Sequence, residues 1–370
     1  MNAERLHAIA NAIRKDLAQT KSIQTLEDLS SALQNQIDSP QEPSYQTQVA
    51  EHLSALTEAL QNAPSNKFPP TWKQALEELG AADLFGSVLA ERIEEIFRRN
   101  QITPVVAQKE IKQIVERLSA FENAINEIHS GFSKVNIGAE ELDPGTAELG
   151  VLIPREFVEN KLDVFGEELQ ELDHIFDVFA EVATGGRPGF QIRSISSSDL
   201  SVFLGLSAPV AACVAVAVER VVALYKQLLE IRKLQGELRD QGVPEKNLKG
   251  IEDHANSFME QGIDGVVTSI LEEFHKNADG PRKNELKIEL RYSLSKIANR
   301  VDRGFNIEVR VEPPNQDGGS ESDAQDELKY GEMVESAAPT LQFLKREGRP
   351  ILSLPENSEK KEDKKEDKKK

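Results

Sequence analysis

The stretch TPVVAQKEIKQIVERLSAFENAINEIHSGF, residues 103–132, decides how this chain is read. Thr103-Pro104 puts an N-cap residue ahead of a proline at the first helical position, where the missing N–H is not needed. Ala107, Ile111, Ile114, Leu118, Phe121, Ile125, Ile128 and Phe132 follow at steps of 4, 3, 4, 3, 4, 3 and 4. Apolar residues in that rhythm form a heptad stripe, and Lys109, Glu110, Lys112, Glu116, Arg117, Glu122 and Glu127 fill the positions between. So narrow a stripe packs on a near-parallel helix, either internal or on a second copy. Ile111, Ile114, Leu118, Phe121, Ile125 and Ile128 are therefore candidate protein-interface residues.

Upstream the chain reads as helices only. Leu6, Ile9, Ile13 and Leu17 make a first amphipathic stripe, without the apolar core of a signal peptide. A capping start at Thr25 precedes Leu29, Leu33 and Ile37, and Pro40 and Pro43 end that helix. Further stripes carry Val49, Leu53, Leu56 and Leu60, then Trp72 and Leu76, then Ile93 and Ile96. Residues 1–135 are expected to form a helical domain.

Downstream the pattern changes. Asp143-Pro144-Gly145 is turn chemistry, and Leu149, Val151 and Ile153 alternate as a strand over 147–153. Pro154 is expected to open a helix with a second heptad stripe: Val158, Leu162, Phe165, Leu169, Leu172, Phe176 and Phe179. A second strand follows over 190–204, interrupted at Ser196-Ser197-Ser198. A long helix is expected from Pro209 to Gln241, then helices at 245–261, 262–276 and 281–301, and a last strand over 305–311. The 136–312 region is thus an α+β domain with long helices on a three- or four-stranded sheet, parallel or mixed, and the chain as a whole is α+β and predominantly α-helical.

From Pro313 to Lys370 the composition is linker and Lys/Glu-rich tail, and mobility is expected at 315–335 and 356–370. Between them Leu341, Phe343, Leu344, Ile351, Leu352 and Leu354 form an apolar island, a candidate docking segment acting in cis or in trans.

Charge narrows the partner classes. The net charge is −19, which opposes long-range attraction to nucleic acid or an anionic membrane. Residues 136–182 hold thirteen acids against Arg155 and Lys161, whereas 281–310 is basic. Lys287, Arg291, Arg300 and Arg303 are a candidate basic patch; pairing with the acidic helix is the favoured reading. The uncharged run Val202–Val218 is at the short limit for a bilayer span, but Gly205 and Pro209 make a buried helix the better account.

No catalytic template emerges. The phosphate-binding, zinc-protease and nucleophile-elbow patterns are missing, and Gly185-Gly186 follows a helix, the wrong order for a dinucleotide loop. One cysteine, Cys213, in an Ala/Val run, reads as an inert buried thiol. Glu171-x-x-His174 and Glu272-x-x-His275 match half of a di-iron motif, but their heptad positions point away from the apolar stripes. The expectation is a non-enzymatic interaction or scaffold subunit, cytoplasmic, self-associating or bound to a protein partner, with no catalytic residues, metal or cofactor. A membrane-associated protein using residues 202–225 and an enzyme with dispersed residues near Ser196–Asp199 are the alternatives.

Overall fold

A computed structural model describes residues 3–196, 200–275, 281–312, 321–344 and 346–357. The chain divides into two units, Met1–Glu141 and Leu142–Lys370. The first is all helical: α1 (Ala3–Thr20), α2 (Ser22–Asp38), α3 (Pro43–Gln61), α4 (Pro70–Glu78), α5 (Gly86–Arg99) and α6 (Pro104–Lys134), with 3-10 turns at Pro64–Lys67 and Ala82–Leu84. Lys21 alone separates α1 from α2, at a left-handed φ of 49°. The expected start at Thr25 thus falls inside α2, where the Thr25 hydroxyl donates back to the Lys21 carbonyl at 3.1 Å.

The heptad stripe of α6 is covered within its own unit. Helices α1, α2 and α5 pack on α6. Ile111, Ile114 and Leu118 are 0% exposed and Ile125 is buried with them. Phe121 and Ile128 are half-buried, Phe121 meeting Phe85 edge-on at 5.7 Å between ring centroids. The residues expected as an interface are thus core residues of the first unit. Pro104 occupies the first turn as expected, but the Thr103 hydroxyl donates to Asn100 Oδ1 at 3.2 Å rather than capping α6. Leu118→Ala should cost about 2–5 kcal/mol, while half-buried Phe121→Ala should stay below the range of about 3–5 kcal/mol for a fully buried ring. His174→Ala, at an exposed position of the other unit, should lie within about ±0.5 kcal/mol. Chemical denaturation of the three variants checks the order, and a His174 effect matching that of Leu118 would contradict it.

The second unit contains β1 (Thr146–Leu152), α7 (Leu162–Thr184), β2 (Gln191–Ser196), β3 (Ser201–Ser207), α8 (Ala208–Lys226), α9 (Leu229–Asp240), α10 (Glu245–Phe274), α11 (Pro281–Asp302), β4 (Asn306–Val311) and α12 (Glu321–Ala337). The four strands pair in the order β2-β3-β1-β4, antiparallel throughout, so no parallel crossover is formed. The fold class is α+β and predominantly helical. Register places Leu149 opposite Leu204 and Val309, and Val151 opposite Val202 and Ile307, giving one apolar face. Helix α8 lies against β1, β3 and β4 and also touches α7, α10, α11 and α12. An element surrounded in this way must be apolar on every side, and its run of Ala and Val is accordingly buried. By length and composition α8 could also cross a membrane; its place at the centre of this unit accounts for the same residues.

Several boundaries differ from the sequence reading. The 190–204 strand is two strands of a hairpin, with a register shift between Ile192 and Ser194; Ser197–Asp199 lie outside the described residues. Pro154 opens a turn, and Glu159 and Asn160 at φ 50° and 52° delay the helix to Leu162, which is 85% exposed instead of lying in the stripe. The 209–241 helix breaks at Gln227-Leu228. Residues 245–274 form one helix. Gly262, placed at a boundary on sequence grounds, sits in mid-helix because a Cβ there would lie 2.6 Å from Leu224 Cδ1. Residues 321–335, expected to be mobile, belong to α12, which packs along α8 and buries Val334 and Ala337. The expected mobile stretches 315–320 and 358–370 lie outside the described residues.

Candidate functional site

The apolar island docks in cis. After α12 the chain turns at Leu341 and runs extended from Pro350 to Glu356 across α9, α10 and α11. Ile351, Leu352 and Leu354 are 3–4% exposed, while Arg349, Pro350 and Ser353 are exposed. Leu341 is buried, and Phe343 and Leu344 are half-buried. We call residues 346–356 the strap.

An extended segment carries unpaired main-chain groups, and buried ones need partners. Here body side chains supply them. Asp302, at the C-terminal end of α11, is 0% exposed. Its Oδ2 accepts from the main-chain N–H groups of Ile351 and Leu352, both at 2.7 Å. Its Oδ1 accepts from the Tyr225 hydroxyl at 2.7 Å and Arg232 Nη1 at 2.9 Å. The Arg232 guanidinium then turns to the strap: Nε donates to the Glu347 carbonyl at 3.0 Å and Nη2 to the Gly348 carbonyl at 2.6 Å. Burial, followed by the charge of Asp302, pushes the Tyr225 hydroxyl far above its ordinary value, so it stays a neutral donor.

Two asparagines complete the frame. Asn256 on α10 accepts from Ser353 N–H at 2.7 Å and donates to the Ile351 carbonyl at 3.4 Å. Asn299, one turn before Asp302, accepts from Leu354 N–H at 2.9 Å and donates to the Leu354 carbonyl at 3.1 Å and to Glu356 Oε1 at 2.7 Å. A carboxamide offers one acceptor edge and one donor edge, which match the N–H and C=O of an extended chain. Arg346 anchors the near end, donating to the Phe305 carbonyl at 2.8 Å and Asn306 Oδ1 at 2.9 Å. At Gly348 the strap passes so near α9 that a Cβ would stand 3.2 Å from the Arg232 carbonyl oxygen, and its φ of +80° disfavours any side chain.

The other expected sites are dispersed. Of the basic residues, Arg300 is buried in a two-bond fork with Glu168 of α7, Nε to Oε1 at 2.6 Å and Nη2 to Oε2 at 2.9 Å. Arg291 pairs with Asp264 at 2.6 Å, Arg303 stands over the Phe157 ring, and Lys287 is exposed. Lys296 pairs with Glu171 and Arg282 with Glu181. The basic helix therefore faces the acidic one, and the four candidates form no single exposed patch. Glu171 is spent on Lys296, His174 and Glu272 are exposed, and the His275 ring meets the Val182 carbonyl at 3.3 Å. No metal-holding group of three or more such side chains occurs among the described residues. Cys213 is 0% exposed, and burial pushes its thiol far upward.

One histidine pair lies in the first unit. The Ile137 carbonyl can only accept, so His7 Nδ1 carries the proton of that 2.8 Å bond. His7 Nε2 is then the acceptor for His129 Nδ1–H at 3.0 Å. Arg5, ion-paired with Glu140, and Arg14, bonded to Asn126, project from the same helix as His7, and Glu141 approaches Asn11 of that helix. Burial, then the charges of Arg14 and His7, hold His129 below its ordinary value. A histidine lowered in the folded state stabilises above its unfolded value, about 6.5. That contribution is lost as pH falls through the lower folded value. Stability of the first unit should therefore drop on acidification below about pH 6.5, and less so in His129→Gln. Denaturation midpoints across that range measure it.

No protein-family model, curated protein or solved structure matches this chain. The strap frame was also invisible to motif reading: Arg232, Asn256, Asn299 and Asp302 are scattered over three helices. The one available signal was a polar residue, Asn299 or Asp302, closing the apolar face of a helix that buries Leu290, Leu294 and Ile297.

Proposed function

We propose that this chain is a non-enzymatic protein-interaction subunit whose second unit is a receptor for an extended apolar segment, a groove that its own strap fills. One observation carries the reading: Arg232, Asn256, Asn299 and Asp302 all bond to main-chain groups of the strap. Helices packed merely to complete a core need apolar contact, whereas this groove supplies a row of donors and acceptors in the register of an extended peptide. Segment-binding proteins work on the same division, main-chain bonds for affinity and side-chain pockets for selection. Weak seating of the strap should open the groove. A labelled peptide of residues 346–357 should bind the full chain carrying Gly348→Ala at least about tenfold more tightly than the wild-type chain, because a Cβ at residue 348 takes a left-handed penalty. Equal, negligible binding to both folded proteins would sink the proposal.

A further inference from the structure

We infer that the groove selects occupants by the pattern Gly-x-x-Ile-Leu-x-Leu-x-Glu/Gln, the spacing of residues 348–356, and that protein segments of this form are its partners in trans. The inference rests on the receptor reading above and names the chemistry of the ligand. Each position follows from a contact. Glycine is required first because φ is +80° and a Cβ would stand 3.2 Å from the Arg232 carbonyl oxygen. Gly236 faces it, with the Gly348 Cα 3.5 Å from where its own Cβ would lie. The aliphatic positions are the three that the body buries, Ile351, Leu352 and Leu354. Arg349, Pro350 and Ser353 point outward and are unspecified. The last position needs an acceptor, because Asn299 Nδ2 donates to Glu356 Oε1 at 2.7 Å. A glutamine carbonyl serves as well, and alanine does not.

The frame also dictates how an occupant enters. An empty groove would leave the buried Asp302 carboxylate without two of its four donors, and Arg232 without its two main-chain carbonyl acceptors. Buried charges stripped of partners are costly, so the strap leaves only as another segment brings the same main-chain groups. The exchange is one for one. A partner competes with a tethered segment whose effective concentration is on the order of millimolar, so partners succeed when the strap is weakened or when they arrive at high local concentration.

The test uses the full chain with Leu352→Asp and, separately, with Gly348→Ala, the milder change that keeps the apolar anchors. Fluorescence anisotropy follows labelled peptides of residues 346–357. The unaltered peptide should bind both variants more tightly than it binds the wild-type chain. Gly348→Ala in the peptide should weaken binding about tenfold. Leu352→Asp should weaken it more than about a hundredfold. Glu356→Ala should weaken it several-fold, and Glu356→Gln should restore it. If the unaltered peptide binds but all altered peptides bind equally, the code is wrong and the receptor reading stands. If no peptide binds either folded variant, the receptor reading itself falls, and the code with it.

Discussion

Asp302→Ala should lower the stability of the second unit by about 3–5 kcal/mol, the range for breaking one side of a buried ion pair. The carboxylate takes four donors: the Tyr225 hydroxyl, Arg232, and the N–H groups of Ile351 and Leu352. Its removal leaves the Arg232 side chain, 6% exposed, with a buried positive charge facing a void. It also strands two main-chain donors of the strap, each worth about 1–3 kcal/mol if left unsatisfied, although water entering along the loosened strap recovers part of this. Asp302→Asn keeps the shape but not the charge and should fall between the two proteins. Urea denaturation followed by circular dichroism gives the values, and proteolysis near Arg349 should accelerate in the same order. A loss below 1 kcal/mol for the alanine variant would mean that the frame does not hold the strap.

Arg300→Ala should be comparably damaging, again about 3–5 kcal/mol. Arg300 and Glu168 are each 6% exposed and joined by two short bonds, and the guanidinium lies between the Phe157 and Phe305 rings at 5.9 Å from each centroid. Burial already pushes the Glu168 carboxyl upward, outweighing the Arg300 bonds that oppose it. Without Arg300 the rise should be larger. An acid whose folded value is raised destabilises the fold at pH above that value and stops doing so once protonated. The deficit of Arg300→Ala should therefore shrink on acidification through the raised range of Glu168. The double variant Arg300→Met with Glu168→Leu should regain most of the loss, because an apolar pair of similar volume fills the site without desolvated charge. A double variant no better than Arg300→Ala would show that the pair does more than neutralise itself.

Periodicity located most elements because it reports one-sided burial. The α6 stripe and the β1 and β4 alternations each have one covered face, so their spacing was readable. What spacing cannot say is what covers the face: the α6 stripe meets α1, α2 and α5 of its own unit, not a second chain. Glycine was ambiguous for a physical reason. At Gly185 it ends a helix at φ 77°, whereas at Gly262 it continues one because a neighbouring leucine needs the space. Helix α12 was missed because its sequence is polar around most of its circumference, and only Val334 and Ala337 tie it down. The docking segment was legible as apolar residues in a polar setting. Its frame was not, since Arg232, Asn256, Asn299 and Asp302 become neighbours only after three helices have packed.

The Asp302 carboxylate sets a timetable. Its donors at Ile351 and Leu352 lie 49 and 50 residues further along the chain. A nascent chain folds from its N-terminal side as it emerges, and domains close as their last contacts arrive. The sheet and α8 can assemble once β4 is out, but Asp302 and Arg232 wait for the strap before they can be sealed from water. Residues 346–354 thus act as a completion signal: a chain cut short before them holds an open, charged seam that proteases and chaperones can distinguish from the finished molecule.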